Sequence, residues 1–340
     1  MRTRRQVVPS VVAATALCGA LAGCGADAQS SGSTGGPANM TVGIYPNSAV
    51  SAIWEIAQKQ GFFTKEGLQV KFVNGTGPDL VAGLAADSID AAMASTSVIV
   101  PALKSSAQIS ILDSYSETLP IALLVPAAQA AGAQHLSFPQ NVRTLKGKKI
   151  GVNALGGISY QYVLHELAAA GLQPSDVTIL AVGSLPTAIA AVKNHRIDAL
   201  VAGADTAVQL EAAGVPVVLV AEATDEKSAG PGVSSTLNII NVVSKKFAGE
   251  KPGEVGKYCR AISAATTWAK DPANLDQTAA TLAKWINIPV EEAKRVWPDM
   301  ATTYRPSLTE ELWKQQPTWA TGGPLPSYQS SFTTSCGKAG

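Results

Sequence analysis

Val42-Gly43-Ile44, Pro78 and Ile89-Asp90-Ala91 return 108 residues later as Ile150-Gly151-Val152, Pro186 and Ile197-Asp198-Ala199. Each copy reads as a short β-branched strand, a helix, a second strand, a second helix and a third strand opening at the Ile-Asp-Ala tripeptide. In the first copy Val50, Ile53, Trp54 and Ala57 fall at helical spacing, Gly61 offers a stop, and Gln69 to Val73 alternates as a strand does. In the second, Tyr160, Val163, Leu164, Leu167 and Ala168 mark a helix that Gly171 can end. Strands alternating with helices through right-handed crossovers make a parallel sheet covered on both faces. The expected class is therefore α/β, two similar lobes with mostly parallel sheets joined by a hinge.

Between the copies, Leu136 to Lys149 carries Pro139 and the cations Arg143, Lys146, Lys148 and Lys149, which reads as a crossover with a solvated edge. Ala229-Gly230-Pro231-Gly232 breaks the second copy, and the apolar run Leu237 to Val243 is expected to return the chain to the first lobe. This places lobe one at residues 40–135 and 236–340 and lobe two at 136–235. From Glu254 the period is helical, and this part holds five of the six tryptophans, which at that spacing read as core residues.

At the N-terminus, Arg2, Arg4 and Arg5 precede an apolar run from Val7 to Leu21, the layout of an export signal and too short to span a bilayer. Leu21-Ala22-Gly23-Cys24 resembles the lipobox of bacterial lipoproteins. That resemblance implies a signal peptide over 1–23 and a diacylglyceryl group on Cys24, two acyl chains being enough for stable attachment. The alternative is ordinary cleavage with Cys24 incidental, and Thr3-Arg4-Arg5-Gln6 leaves Sec and twin-arginine export both open. Residues 24–39 have no large apolar side chain and read as a flexible tether.

Loss of the first 23 residues takes the basic count from 26 to 23 against 25 acidic side chains, a net charge of −2. Such a balance argues against a nucleic-acid surface. Of the four cysteines, Cys18 leaves with the signal and Cys24 carries the lipid, so Cys259 and Cys336 remain in the exported fold, and an oxidising compartment suggests one disulfide pinning the C-terminal tail.

The segments Val42 to Tyr45, Trp54 to Leu68, Ile89 to Ser97, Leu145 to Val152 and Gly183 to Ala207 occur in an order that resembles a known group. It is the nitrate, sulfonate, taurine and thiamine-precursor binding family, the type II periplasmic-style solute-binding proteins of ABC importers. The resemblance implies a small solute held in a cleft between hinged lobes and handed to a membrane permease with its ATPase, by a monomer that performs no chemistry and uses no cofactor. It would sit on the extracytoplasmic side of the cell membrane, attached through its lipid alone.

In open α/β sheets ligands bind beyond the carboxyl ends of the strands, where loops turn into helix N-termini. The loops so placed carry the candidate contacts Tyr45, Asn47, Ser48, Thr76, Gly77, Ser95, Thr96 and Tyr115 in lobe one, and Gly157, Ser159, Tyr160, Ser184 and Asp205 in lobe two. Backbone N–H groups at such helix starts favour an anion. The loops hold neither lysine nor arginine, which disfavours a polyanion and leaves a sulfonate, taurine, nitrate or aromatic carboxylate. Asp205 could pair with an ammonium or an aminopyrimidine, or cap the helix that Thr206 opens; Asp79 and Glu117 are lesser candidates. Each serine or threonine named is equally a good helix cap. Asp90 and Asp198, though repeated, read as turn or capping residues.

Related two-lobed proteins include enzymes, among them thiamine-pyrimidine synthases. Here His135, His165 and His195 have no zinc spacing, and there is no G-x-S-x-G element. Asn74-Gly75-Thr76-Gly77 lacks the third glycine and the lysine of a nucleotide loop. An aminopyrimidine-binding protein or related enzyme, and a ligand-sensing surface lipoprotein, stay open as alternatives.

Overall fold

The computed structural model describes residues 36–116, 118–234, 236–304, 308–333 and 336, with the side chains of Ser114 and Tyr115 excepted. The expected signal peptide, Cys24 and Glu117 lie outside them. Ala38 and Asn39, expected in the tether, instead open the first strand.

Lobe one is built from β1 (Ala38–Ile44), α1 (Ala52–Lys59), α2 (Phe62–Lys65), β2 (Leu68–Asn74), α3 (Gly77–Ala85), β3 (Ala91–Ser95), α4 (Thr96–Lys104) and β4 (Ile109–Ser116). Lobe two follows with β5 (Ile121–Pro126), α5 (Gln140–Arg143), β6 (Lys149–Val152), α6 (Ile158–Ala169), β7 (Thr178–Ala181), α7 (Leu185–Lys193), β8 (Ala199–Gly203), α8 (Thr206–Ala212) and β9 (Val217–Glu222). The chain returns with β10 (Ile239–Ser244). It ends in α9 (Lys245–Glu250), α10 (Pro252–Lys270), α11 (Leu275–Ile286), α12 (Val290–Thr302), α13 (Glu310–Lys314), α14 (Thr318–Thr321) and α15 (Tyr328–Ser331).

The two sheets share one plan. Their strand orders are β2-β1-β3-β10-β4 and β7-β6-β8-β5-β9. In each, the first three strands are parallel. The fourth position is taken by a strand arriving from the other lobe, antiparallel to both neighbours. The sheets are thus mixed rather than purely parallel. Both arriving strands are buried at every position, and a strand enclosed on both faces reads as one apolar run whichever way it points.

That exchange corrects the expected lobe limits. The chain enters the second sheet at Ile121 rather than after residue 135, because β5 pairs with β8 and β9. The C-terminal helices are not confined to lobe one either. Ala320 is buried in the core of lobe two, and Trp319 stacks on His165 of α6 at 4.8 Å. On the other side of the same turn, Gly322 lies against Pro101 of α4, so α14 touches both lobes.

Asp90 and Asp198 do the same structural work in each copy. The Thr41 N–H donates to Asp90 Oδ2 at 2.7 Å, and the Lys149 N–H to Asp198 Oδ2 at 2.8 Å. The backbone N–H of each aspartate returns a bond to the same partner's carbonyl, which fixes the register of the third strand against the first. Gly43 and Gly151, also related by the repeat, admit close packing: a Cβ there would lie 2.8 Å from Leu80 Cδ2 and 2.4 Å from Ile197 Cδ1.

Lobe one packs α1 against α10 and α11, with the Trp54 Nε1–H donating to the Tyr258 hydroxyl at 2.7 Å and Trp297 buried beside them. Trp313 is enclosed on the opposite face of the same sheet. Cys259 of α10 and Cys336 form a disulfide, their Cα atoms 5.5 Å apart. Among the described residues no helix is long and apolar enough to cross a membrane.

Glu166 is fully buried and Asp113 partly so. Burial pushes Asp113 up to about 7 against the pull of the Asn241 amide, which donates to it at 2.6 Å. Burial likewise pushes Glu166 up to about 7, although both its oxygens accept from the Gly230 N–H. The native state therefore keeps protons that the unfolded chain releases near pH 4. Bound protons in excess on the native side mean that stability is full below that pH and falls as pH rises toward 7. Urea unfolding should show a loss of at least ~1 kcal/mol between pH 5 and pH 8, and Asp113→Asn should shrink it. A flat or rising profile would contradict this account.

Candidate functional site

The carboxyl ends of β1, β3, β6 and β8 meet between the lobes, so the loops that turn there into helices share one cavity of about 120 Å³. Eight of the expected residues line it: Tyr45, Ser48, Thr76, Gly77, Ser95, Gly157, Ser159 and Ser184. Five helix starts converge on it, since Ser48 leads through a short turn into α1 and Thr76, Ser95, Gly157 and Ser184 precede α3, α4, α6 and α7. The apolar walls come from Val50, Pro120, Ile121, Ile158, Leu200 and Ile239. No Lys, Arg, His, Asp or Glu is among the described residues lining it.

Capping and site roles separate residue by residue. Thr76 is held in a capping box with Asp79, whose carboxylate accepts from the Thr76 N–H at 3.0 Å and from its hydroxyl. These bonds hold Asp79 below the usual carboxylate range. Ser48, Ser95 and Ser184 make no cap bond to their own helices, so their hydroxyls are not used in capping. Ser95 instead shares a 2.9 Å bond with Ser97. Burial pushes the Tyr45 phenol up to about 12, with Ser95 pulling it back, which keeps it a neutral donor at physiological pH.

Other expected residues lie elsewhere. Asn47 adopts a positive φ of 54° and donates to the Trp285 carbonyl at 2.9 Å, while the Trp285 indole donates to the Ser48 carbonyl at 2.8 Å. Asn47 thus anchors the first loop to α11 rather than facing the cavity. Thr96 is fully buried and donates to the Leu237 carbonyl at 3.2 Å, tying α4 to the returning chain. Tyr160 packs against the core of lobe two. Tyr115 falls on β4, and its side chain is outside the described part. Asp205 lines a neighbouring cavity.

Two lining residues stand outside the expected contacts, although Asn153 opens the loop from Asn153 to Tyr160 that was expected at the cleft. Asn153 lines the cavity with an Oδ1 that is enclosed and unpartnered, and Asn238 lines it beside β10. The repeat also points to the first, since Asn153 follows β6 as Tyr45 follows β1, 108 residues earlier. Nothing in the pattern marked Asn238, which owes its place to the second crossing between lobes. Among the described residues there is no cluster of three or more His, Cys, Asp or Glu that could hold a metal ion.

Residues 49–274 match the NMT1/THI5-like family. Over 268 residues the chain is 30% identical to a putative aliphatic sulfonates-binding protein of Bacillus subtilis, covering 76% of this chain and 73% of that one. Among solved structures, the alkanesulfonate-binding protein SsuA of Xanthomonas axonopodis bound to MOPS superposes with a TM-score of 0.65 at 20% identity, over 82% of this chain and 90% of that chain. The periplasmic nitrate-binding protein NrtA of Synechocystis gives a TM-score of 0.62 at 16% identity, over 75% and 69%.

Proposed function

The chain belongs to the NMT1/THI5-like family, and on that footing we propose that it is the extracytoplasmic solute-binding component of an ABC importer, specific for a small organic monoanion and most of all a sulfonate. It binds and does not catalyse, as its relatives do. The observation that carries the ligand class is the cavity wall: five helix starts, neutral hydroxyls and amides, and no charged side chain among the described lining residues.

The arithmetic fits one negative charge. Each helix end contributes about 0.3 to 1 kcal/mol to a nearby anion. Five ends together give roughly 1.5 to 5 kcal/mol, or ten- to several-thousand-fold in affinity. That suffices to select a monoanion and is too little to desolvate two or three charges. The apolar walls suit an organic tail. In this reading the contacts are Tyr45, Ser48, Ser95, Asn153, Ser159 and Ser184, with Thr76 and Gly77 shaping the start of α3. The chain works as a monomer tethered through Cys24, closes its lobes on the solute and presents it to a permease.

Thermal unfolding against alkanesulfonates, nitrate, aromatic carboxylates and aminopyrimidines tests the reading. A true ligand at about 100 times its Kd should add about 2.7 kcal/mol to stability. Stabilisation by an aminopyrimidine and by no monoanion would overturn it.

A further inference from the structure

A second cavity, of about 420 Å³, adjoins the first and shares Val50 and Pro120 as walls. It is formed by Ala204, Asp205 and Val208 of lobe two facing Val296, Met300 and Tyr304 at α12. Unlike the neutral cleft beside it, this cavity has an acidic lining among the described residues. Among the described residues lining it, three bear a carboxyl group, Asp205, Glu222 and Asp299, and one is a cation, Arg295. Arg295 is already engaged, its guanidinium gripping both oxygens of Glu292.

Asp205 is the unusual member. Its Oδ2 is shut off from solvent and has no hydrogen-bond partner. Close by, the Tyr304 hydroxyl donates to the Ala49 carbonyl at 2.8 Å. A buried carboxylate oxygen left without a partner is costly, and a cation placed against it offsets that cost.

We propose that the solute is zwitterionic, its anionic head among the helix starts of the small cavity and a cationic nitrogen in the larger one, paired with Asp205. This rests on the organic-anion reading and narrows it. The anion-binding loops come from both lobes, whereas the cation partner Asp205 belongs to lobe two and faces α12 of lobe one, so a solute filling both cavities spans the lobe interface twice. The electrostatics agree. Burial pushes the Asp205 carboxyl up to about 6, against the pull of its own N–H, that of Ala49 and the Gln209 amide, the state of an acid still lacking a full counter-charge.

The test is calorimetric titration of the full chain at pH 8 with chain-matched pairs in which NH3+ replaces CH3. These are 2-aminoethane-, 3-aminopropane- and 4-aminobutanesulfonate against 1-propane-, 1-butane- and 1-pentanesulfonate. At one length at least, the amino member should bind about tenfold tighter, as expected for a charged hydrogen bond. Asp205→Asn should erase that preference while leaving the alkyl member's affinity within about threefold. Alkyl members binding as tightly at every length, or a preference that survives in Asp205→Asn, would overturn the proposal and leave the anion reading intact. Binding by neither series would overturn both. The wild-type comparison decides the matter even if the variant does not fold.

Discussion

Serine at both Cys259 and Cys336 is expected to lower the unfolding free energy by about 4.5 kcal/mol, since the bridge closes a loop with a sequence separation of 77. Solute affinity should stay within about twofold, because neither cysteine lines either cavity. The bridge joins α10, part of the core that holds α1, to the tail whose Thr333 N–H donates to the Ile111 carbonyl at 3.0 Å. Phe332 of that tail sits edge-on to the buried Trp313. Freed from α10, the unfolded ensemble regains the loop's conformations while the native tail keeps these contacts, so the effect falls on the unfolded side of the equilibrium. Urea unfolding of the double variant and the parent at one pH gives the difference directly. A loss under about 1 kcal/mol would mean that the loop is already restricted without the bridge.

The legible parts of this fold are those where local chemistry repeats. Asp90 and Asp198 could be read as structural from their place ahead of apolar strands, and both bind the backbone of the neighbouring strand. Pro78 and Pro186 match across the repeat, and they stand in the first turns of α3 and α7. The cleft was legible for the same reason, since Thr76 and Ser184 are repeat partners and both line it.

What escaped was whatever depends on the chain leaving one lobe for the other. Ile121 to Pro126 carries no signal of direction or of partner, so the early crossing and the antiparallel strand could not be seen. Asn47 and Thr96 sat in the right loops with the right chemistry. Each is drawn off by a carbonyl far along the chain, at Trp285 and Leu237, and no local pattern reports such a partner. Asp205 shows the converse: its loop was expected at the cleft, yet which cavity its side chain lines is decided by α12, some 90 residues downstream.

Aspartate at Ser159 should abolish capture of the anion, and it is the sharpest test of the cleft's sign. Ser159 is buried in the first turn of α6 and lines the small cavity. A carboxylate at that point is tolerated by the helix, whose N-terminus favours negative charge by about 0.3 to 1 kcal/mol. The fold should therefore survive the change. Against a bound monoanion about 4 Å away, at an effective dielectric near 20, the same carboxylate costs about 4 kcal/mol, close to a thousandfold in Kd. Ser159→Asn has nearly the same shape without the charge and should cost no more than about tenfold. Titration of the two variants with the solute found by thermal screening separates charge from shape. If Ser159→Asp bound as well as Ser159→Asn, the negative head would not lie at α6. If it bound more tightly than the parent, the small cavity would be holding a cation, and the assignment of head and tail between the two cavities would have to be reversed.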